Sequence, residues 1–327
     1  MCPTHGIYHR RSTPDALGWR MRITALAGGV GAAKLLAGLI HVIDPTDVTV
    51  IGNTGDDATF HGLHVSPDLD IVMYTLGGIV DTTTGWGIRG DTTVALDAMK
   101  ALGADAWFRL GDRDLGTHLA RTTWLREGRT LTDVTSSIAS ALGLAVRVIP
   151  MSDDPVRTRV RVAGGIVREF QEYFVRYGHS EEVEAVEFVG ADQASPAPGV
   201  LEALREADRI LICPSNPVVS IGPILAVPGI RDSLSERRDR VWAVSPIVAG
   251  RALKGPADRM MSGLGITPTA SGVAGIYKEF TGNFVLDQTD DALSIEIEAM
   301  GMQSYVLDTV MHSPADSERL AKEIVSL

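Results

Sequence analysis

The strongest constraint on what this chain can fold into is a local order that repeats along it: a short β-rich apolar run, a polar or glycine-rich turn, then a helical pattern. RITALA (22–27) leads into GGVGAAK, DVTVI (47–51) into GNTGDD, and AVRVI (145–149) into PMSDDP. RILIC (209–213) leads into PSNP and VWAV (241–244) into SP, while NFVL (283–286) and SYVL (304–307) are each followed by an aspartate. Helical patterns lie between them at 32–40, 70–76, 92–102, 115–127, 131–142, 198–207 and 256–264. A last helix is marked by Ser313 as N-cap, Pro314 in its first turn, and Leu320, Ile324 and Leu327 on one face. Strands alternating with helices predict an α/β fold whose mostly parallel sheet has helices on both faces. Ligands in such sheets bind beyond the carboxyl ends of the strands, which is where the polar motifs sit.

The rhythm breaks over residues 155–190, where VRTRVRVAGGIVREFQEYFVR alternates around Gly164-Gly165 as a β-hairpin does. The domain reading is therefore one Rossmann-like α/β domain over 21–327 with a small inserted β-rich subdomain around 155–190. The opening residues 1–20, MCPTHGIYHRRSTPDALGWR, are polar, basic and aperiodic, without the apolar stretch of a signal peptide. They read as a disordered or non-native arm ahead of a fold that begins at Met21.

Composition mainly removes candidates. A net charge of −11 argues against general nucleic-acid affinity, which rests on Lys and Arg contacts to phosphates. The two cysteines, Cys2 and Cys213, lack the spacing of a metal knuckle and suit a reducing compartment. No apolar run approaches the ~20 residues that span a bilayer. The expectation is a cytoplasmic protein without nucleic-acid or membrane partners.

AGGVGAAK (27–34) follows a strand and opens a helix. Gly28, Gly29 and Gly31 let backbone approach a phosphate, and the helix N-terminus offers free N–H groups and partial positive charge. It is neither a Walker A loop nor a clean GxGxxG, so tight strand–helix packing is the alternative. Lys34, one turn in, either neutralises a phosphate or faces solvent. NTGDDATFHGLHVSPDLD (53–70) gathers Asp56, Asp57, Asp68 and Asp70 with no Lys or Arg among them. Asp68 suits the cap of the helix that begins there. The surplus suits a hard cation, because Mg²⁺ takes one or two carboxylates and fills its other positions with water and phosphate oxygens. His61 and His64 lack a third zinc ligand at a recognisable spacing and read as loop or packing residues. LGDRDLGTHLAR (110–121) is either a charged helix start with i,i+4 pairs or a set of cation contacts to an anionic substrate. PSNPVVSIGPIL (214–225), with Ser215, Asn216 and Ser220, is either turn chemistry or a set of N–H groups facing a diphosphate.

Taken in order, GGVGAAK, NTGDD, SPDLDIVMYTL, GWGIRGDT, LGDRDLGTH, PMSDDP, PSNPVVSIGPIL and SPIVAGRALKGPA resemble the CofD family, called FbiA in mycobacteria, from Met21 to the C-terminus. The resemblance implies a homodimeric, Mg²⁺-dependent transferase of coenzyme F-420 biosynthesis. Its acceptor would be the deazaflavin Fo, and its donor a guanosine diphosphate linked to lactate, enolpyruvate or glycerate. The terminal ribityl hydroxyl of Fo would attack the phosphorus distal to guanosine, and GMP would leave. By the same resemblance Asp70 and Arg109 match acceptor-contacting positions, and Asp56 and Asp57, with Asp70, match the acidic set near metal and phosphates. The first glycine loop and PSNPVVSIGP match segments lining the guanosine diphosphate, giving Gly28, Gly29, Gly31, Lys34, Ser215, Asn216 and Ser220. Asp70 or Asp56 would accept the attacking hydroxyl's proton, and Trp86 or Tyr74 would stack on the flat deazaflavin.

Two rivals carry different chemistry. A CofD-like protein that binds a nucleotide sugar without catalysis shares both loops, but its acidic loop runs into DDGG, where this chain has Asp57-Ala58-Thr59. A NAD-linked dehydrogenase would need the dinucleotide fingerprint in the first loop and an acid, not Asn53, after the second strand.

Overall fold

The computed structural model describes residues 20–327; the arm expected over 1–20 lies, but for Arg20, outside them. β1 (Ile23–Ala27) runs into α1 (Gly29–Val42), and β2 (Val48–Gly52) into a small antiparallel pair, β3 (Ala58–Phe60) and β4 (Leu63–Val65). Four helices follow: α2 (Pro67–Leu76), α3 (Val94–Ala101), α4 (Asp112–Arg126) and α5 (Leu131–Ala141). After β5 (Arg147–Pro150) come β6 (Arg157–Val162), β7 (Ile166–Glu169) and β8 (Val183–Val189), which form their own three-stranded antiparallel sheet. Its hairpin turns at Gly164 and Gly165, whose φ values of +85° and +76° suit glycine.

The second half alternates again. It contains α6 (Val200–Glu206), β9 (Arg209–Ile212), α7 (Ile221–Ala226), α8 (Ile230–Ser235) and β10 (Val241–Val244). The ribbon β11 (Ile247–Val248) and β12 (Arg251–Ala252) precedes α9 (Ala257–Gly263), α10 (Ala270–Tyr277) and β13 (Asn283–Asp287). The chain closes with α11 (Ser294–Ala299), β14 (Gln303–Leu307) and α12 (Pro314–Ser326).

The seven runs read as sheet strands are the seven strands of the main sheet among the described residues. They are all parallel, in the order β14-β13-β10-β9-β1-β2-β5. Their side chains alternate between two cores. Leu26, Ile210, Ile212, Val241 and Ala243 face one, and Ile23, Ala25, Leu211, Trp242 and Val244 the other, as a parallel sheet covered on both faces requires. The strand order reverses between β1 and β9, and such a switch point opens a crevice at the carboxyl ends of the two strands. Behind it α12 lies directly on α1, since a Cβ at Gly38 would fall 2.1 Å from the Ser317 carbonyl oxygen. The capping box of Ser313 and Asp316 fixes where α12 begins.

Three expected helix starts move, the second of them to Pro67, right after Ser66. The first helix starts at Gly29, so the glycine loop is itself the first helical turn. The fourth starts at Asp112, because Asp112 and Asp114 suit the positive end of the helix. The helices α7 and α8, six residues each, are too short for a 3.6-residue period to show in the sequence. No helix among the described residues is long and apolar enough to cross a membrane.

Candidate active site

A cavity of about 630 Å³ opens at the switch point and runs from the first turn of α1 to the inserted subdomain. Its inner end is made by Gly28, Gly29 and Gly31 after β1 and by Ser215, Asn216 and Ser220 after β9. The two loops are fitted together. The Gly28 N–H donates to Ser215 Oγ (3.2 Å), and a Cβ at Gly31 would lie 2.2 Å from the Pro214 carbonyl oxygen. The N-cap of α1, Gly28, brings no side-chain cap; the Gly29 N–H faces the Asp68 carboxylate, and the helix N-terminus turns its partial positive charge to the cavity. PSNPVVSIGPIL forms the turn that its residues suit, and that turn also lines the cavity. Asn216 is committed to its own turn, accepting from the N–H of Val218 (2.9 Å) and Val219 (3.3 Å), yet it lines the cavity. Lys34 lines it too and donates to the Met311 carbonyl (2.8 Å).

The acidic stretch divides. Asp56, Asp68 and Asp70 line the cavity. Asp57 does not join them: its Oδ2 is taken by His64 Nε2 (3.0 Å) and the Ser66 hydroxyl (2.7 Å). Asp68 corrects the capping expectation. The N-terminus of α2 has no side-chain cap, and the Asp68 carboxylate turns inward to accept from Asn53 Nδ2 (2.9 Å) and to face the Gly28-Gly29 backbone. Residue spacing could not show this, because a first-turn aspartate faces the helix end or a neighbouring loop with equal ease.

Burial and mutual repulsion set the electrostatics. Burial, then the negative charge of Asp68, push the Asp56 carboxyl well above the usual range, and its Oδ1 has no hydrogen-bond partner. Burial also pushes Asp68 up to about 6, with the Asn53 amide and the Gly29 N–H pulling the other way. Two close, coupled carboxylates beside an open helix N-terminus form a site that is short of positive charge.

Asp70 is different. Its carboxylate receives both arms of the Arg121 guanidinium, Nη1 on Oδ2 at 2.9 Å and Nη2 on Oδ1. His118 stands between, with Nδ1 3.2 Å from Arg121 Nη1 and Nε2 3.1 Å from Asp114 Oδ1. Asp114 Oδ1 also accepts from the Tyr74 hydroxyl (2.7 Å). A guanidinium only donates, so Nδ1 of His118 is the acceptor and the ring proton sits on Nε2, toward Asp114. Of the two readings of LGDRDLGTHLAR, the i,i+4 pair is present as Asp114–His118, but Arg121 turns inward and is fully buried. Tyr74, expected as a stacking ring, is buried with its phenol committed to Asp114, although one edge reaches the cavity.

The outer end is apolar. Trp86 and Arg109 line it, with the guanidinium carbon 5.9 Å from the Trp86 ring centroid. Phe108 stacks on Phe60 at 3.6 Å. Opposite them the inserted subdomain supplies Phe170 and Phe174, themselves stacked at 5.6 Å, from the segment that follows β7. These two were missed in the sequence, where the aromatic spacing of EFQEYFVRYGH was the only available signal.

Comparison with known proteins bears on this geometry. A family model described as 2-phospho-L-lactate transferase CofD matches residues 23–325. A phosphoenolpyruvate transferase of Kitasatospora aureofaciens is 45% identical over 314 residues, covering 94% of this chain and 98% of that protein. A 2-phospho-L-lactate transferase of Methanospirillum hungatei is 40% identical over 304 residues, covering 93% and 99%. A crystal structure of a UPF0052-family protein from Bacillus halodurans shares the fold, with a TM-score of 0.65 at 16% identity over 94% of this chain and 99% of that one. With the match running along essentially all of the folded residues, the chain belongs to the CofD family, transferases of the 2-phospho-L-lactate and phosphoenolpyruvate type that act in coenzyme F-420 biosynthesis.

Proposed function

We propose that this transferase moves a phospholactate-, phosphoenolpyruvate- or phosphoglycerate-type group from a guanosine diphosphate-linked donor to the ribityl hydroxyl of the deazaflavin Fo, releasing GMP. The observation that carries the reading is the two-ended cavity, lined by a glycine-rich helix N-terminus, by an aromatic wall and by three carboxylates. A donor diphosphate at the glycine loop and a planar acceptor against Trp86, Phe108 and Phe174 would meet at Asp56, Asp68 and Asp70. In the step, the hydroxyl oxygen bonds to the distal phosphorus, the bridging P–O bond breaks, GMP leaves with that electron pair, and the hydroxyl proton passes to solvent water.

Mg²⁺ fits the donor set. The partnerless Oδ1 of Asp56 and the inward-turned Asp68 are the ligands we assign to it, in place of Asp57, which does not line the cavity and whose Oδ2 is held by His64 and Ser66. Bound there, the ion would supply Lewis-acid neutralisation of the phosphates and offset the repulsion between the two acids. Asp70, gripped by both arms of Arg121, is a fixed acceptor, suited to orienting the attacking hydroxyl. A loose phosphoryl-transfer transition state asks for positioning more than for strong base catalysis. The N–H groups and partial positive charge of the first turn of α1 would stabilise the departing GMP.

A mass-spectrometric transfer assay tests this. Purified protein, Fo and Mg²⁺ are offered each of the three donors in turn, with and without EDTA. One metal-dependent product mass identifies both the reaction and the donor. Tight guanosine diphosphate binding with no product from any donor points instead to a non-catalytic binding protein.

A further inference from the structure

We propose that Arg121 is a positioning residue for the transfer: from behind the cavity wall its guanidinium fixes the Asp70 carboxylate in the one orientation that accepts a hydrogen bond from the attacking hydroxyl. The inference rests on the acceptor reading given above. Asp70 and Tyr74 lie one turn apart on α2, and Asp114, His118 and Arg121 follow at spacings of four and three on α4, so each set shares one helix face. The two faces meet as a ladder, Asp70 on Arg121 and Tyr74 on Asp114, with His118 bridging the rungs. Asp70, Tyr74, Asp114 and His118 reach the cavity, and Arg121 does not.

The ladder leaves little freedom. The Tyr74 phenol donates to one oxygen of Asp114, His118 Nε2 lies 3.1 Å from that same oxygen, and His118 Nδ1 faces Arg121. Each oxygen of Asp70 takes one guanidinium arm and keeps a lone pair, which makes Asp70 the rung with acceptor capacity left for a ligand. A bidentate fork stops the carboxylate rotating, which a lysine ammonium, a point charge, cannot do. A purely structural role explains this less well. A buried ion pair stabilises no better than apolar residues of the same volume, and Arg121 Nε is left without a partner. The guanidinium is placed for Asp70 rather than for its own hydrogen bonding.

The test is a double-mutant cycle on the full chain with Arg121→Lys, Asp70→Asn and the double variant. It reads melting temperature, kcat, both KM values, and acceptor binding by quenching of the deazaflavin's fluorescence. Arg121→Lys is expected to lower kcat about 30-fold and weaken acceptor binding about tenfold, with donor KM within about twofold of wild type. In the Asp70→Asn background the same change is expected to cost less than about twofold, because the group it acts through is already gone. Losses that multiply in the double variant, or a wild-type kcat for Arg121→Lys, overturn the proposal. Should Arg121→Lys not fold, the neutral amide pair Asp70→Asn/Arg121→Gln is compared with Asp70→Asn alone; equal rates support the proposal, and a further loss of about tenfold overturns it. If the wild-type protein binds Fo but transfers nothing, the transfer reading fails and the binding arm still decides the role of Arg121. If it neither binds nor transfers, the acceptor reading falls and this inference with it.

Discussion

The Asp68 carboxylate occupies the space that a side chain on Gly28 would need: a Cβ built on Gly28 falls 2.4 Å from Asp68 Oδ2 and 2.7 Å from Ser220 Cβ. The contact ties three loops at the carboxyl ends of β1, β2 and β9 into one wall. It also gives the first glycine a physical reason, since Gly28 has an extended φ of −157° that any residue adopts.

Gly28→Ala is therefore expected to act through crowding and not through backbone strain. The methyl must displace Asp68 or Ser220, at a cost of about 1–3 kcal/mol. Calorimetry with GDP should show binding weakened by at least about tenfold while circular dichroism stays native. Unchanged GDP affinity would take the glycine loop out of the nucleotide site.

Asp56 and Asp57 are neighbours with different duties. Asp56→Asn should raise the Mg²⁺ concentration needed for half-maximal activity by about tenfold or more, because it removes a ligand charge beside the phosphates. Asp57→Asn should leave that concentration within about twofold and instead lower the melting temperature, because it breaks the bonds to His64 and Ser66. A metal titration of the two variants checks this, and equal shifts would return Asp57 to the metal site.

The contrast shows what the sequence could and could not carry. All seven strands of the sheet were legible, because β-branched runs bounded by turn residues leave few alternatives. The loops at their carboxyl ends followed from the topology, and with them Gly28, Ser215 and Asp56. The side on which a carboxylate faces was not legible. Asp57 faces away from the cavity that Asp56, Asp68 and Asp70 line, and that is decided in three dimensions, by His64 and Ser66 on Asp57 and by Asn53 on Asp68. Arg121 was hidden for a related reason: it becomes a partner of Asp70 only once α4 is laid against α2, 51 residues away in sequence. The aromatic wall from Phe170 and Phe174 required knowing where the insertion folds back.

At the cavity mouth, Trp86 is 46% exposed and has the Arg109 guanidinium over its ring. Trp86→Ala should leave the melting temperature within about 1 °C and raise the KM for Fo about tenfold, with Trp86→Phe recovering most of the loss. Arg109→Ala should likewise weaken Fo binding more than GDP binding. Equal losses for both ligands would count against an acceptor contact at this end.

The acidic pair gives stability an unusual pH dependence. Asp68 is pushed from 3.8 to about 6, first by burial, and Asp56 is raised well above the same starting value by burial and by Asp68. Raised carboxyl values mean that the folded protein holds protons the unfolded chain has already released. The metal-free protein is then more stable below the unfolded value, and that stability is lost as pH rises through about 4 to 6. Mg²⁺ held by the ionised pair would oppose the loss, so its effect on melting temperature should be larger near pH 8 than near about pH 5. Scanning calorimetry at the two pH values, with and without Mg²⁺, reads the difference. Asp68→Asn separates these acids from every other titrating group: it should flatten most of the pH dependence of the metal-free protein and shrink the Mg²⁺ shift at the higher pH. A variant that keeps the wild-type slope would show that Asp68 is not the group that titrates, and an Mg²⁺ shift equal at both pH values would remove the pair as its ligands.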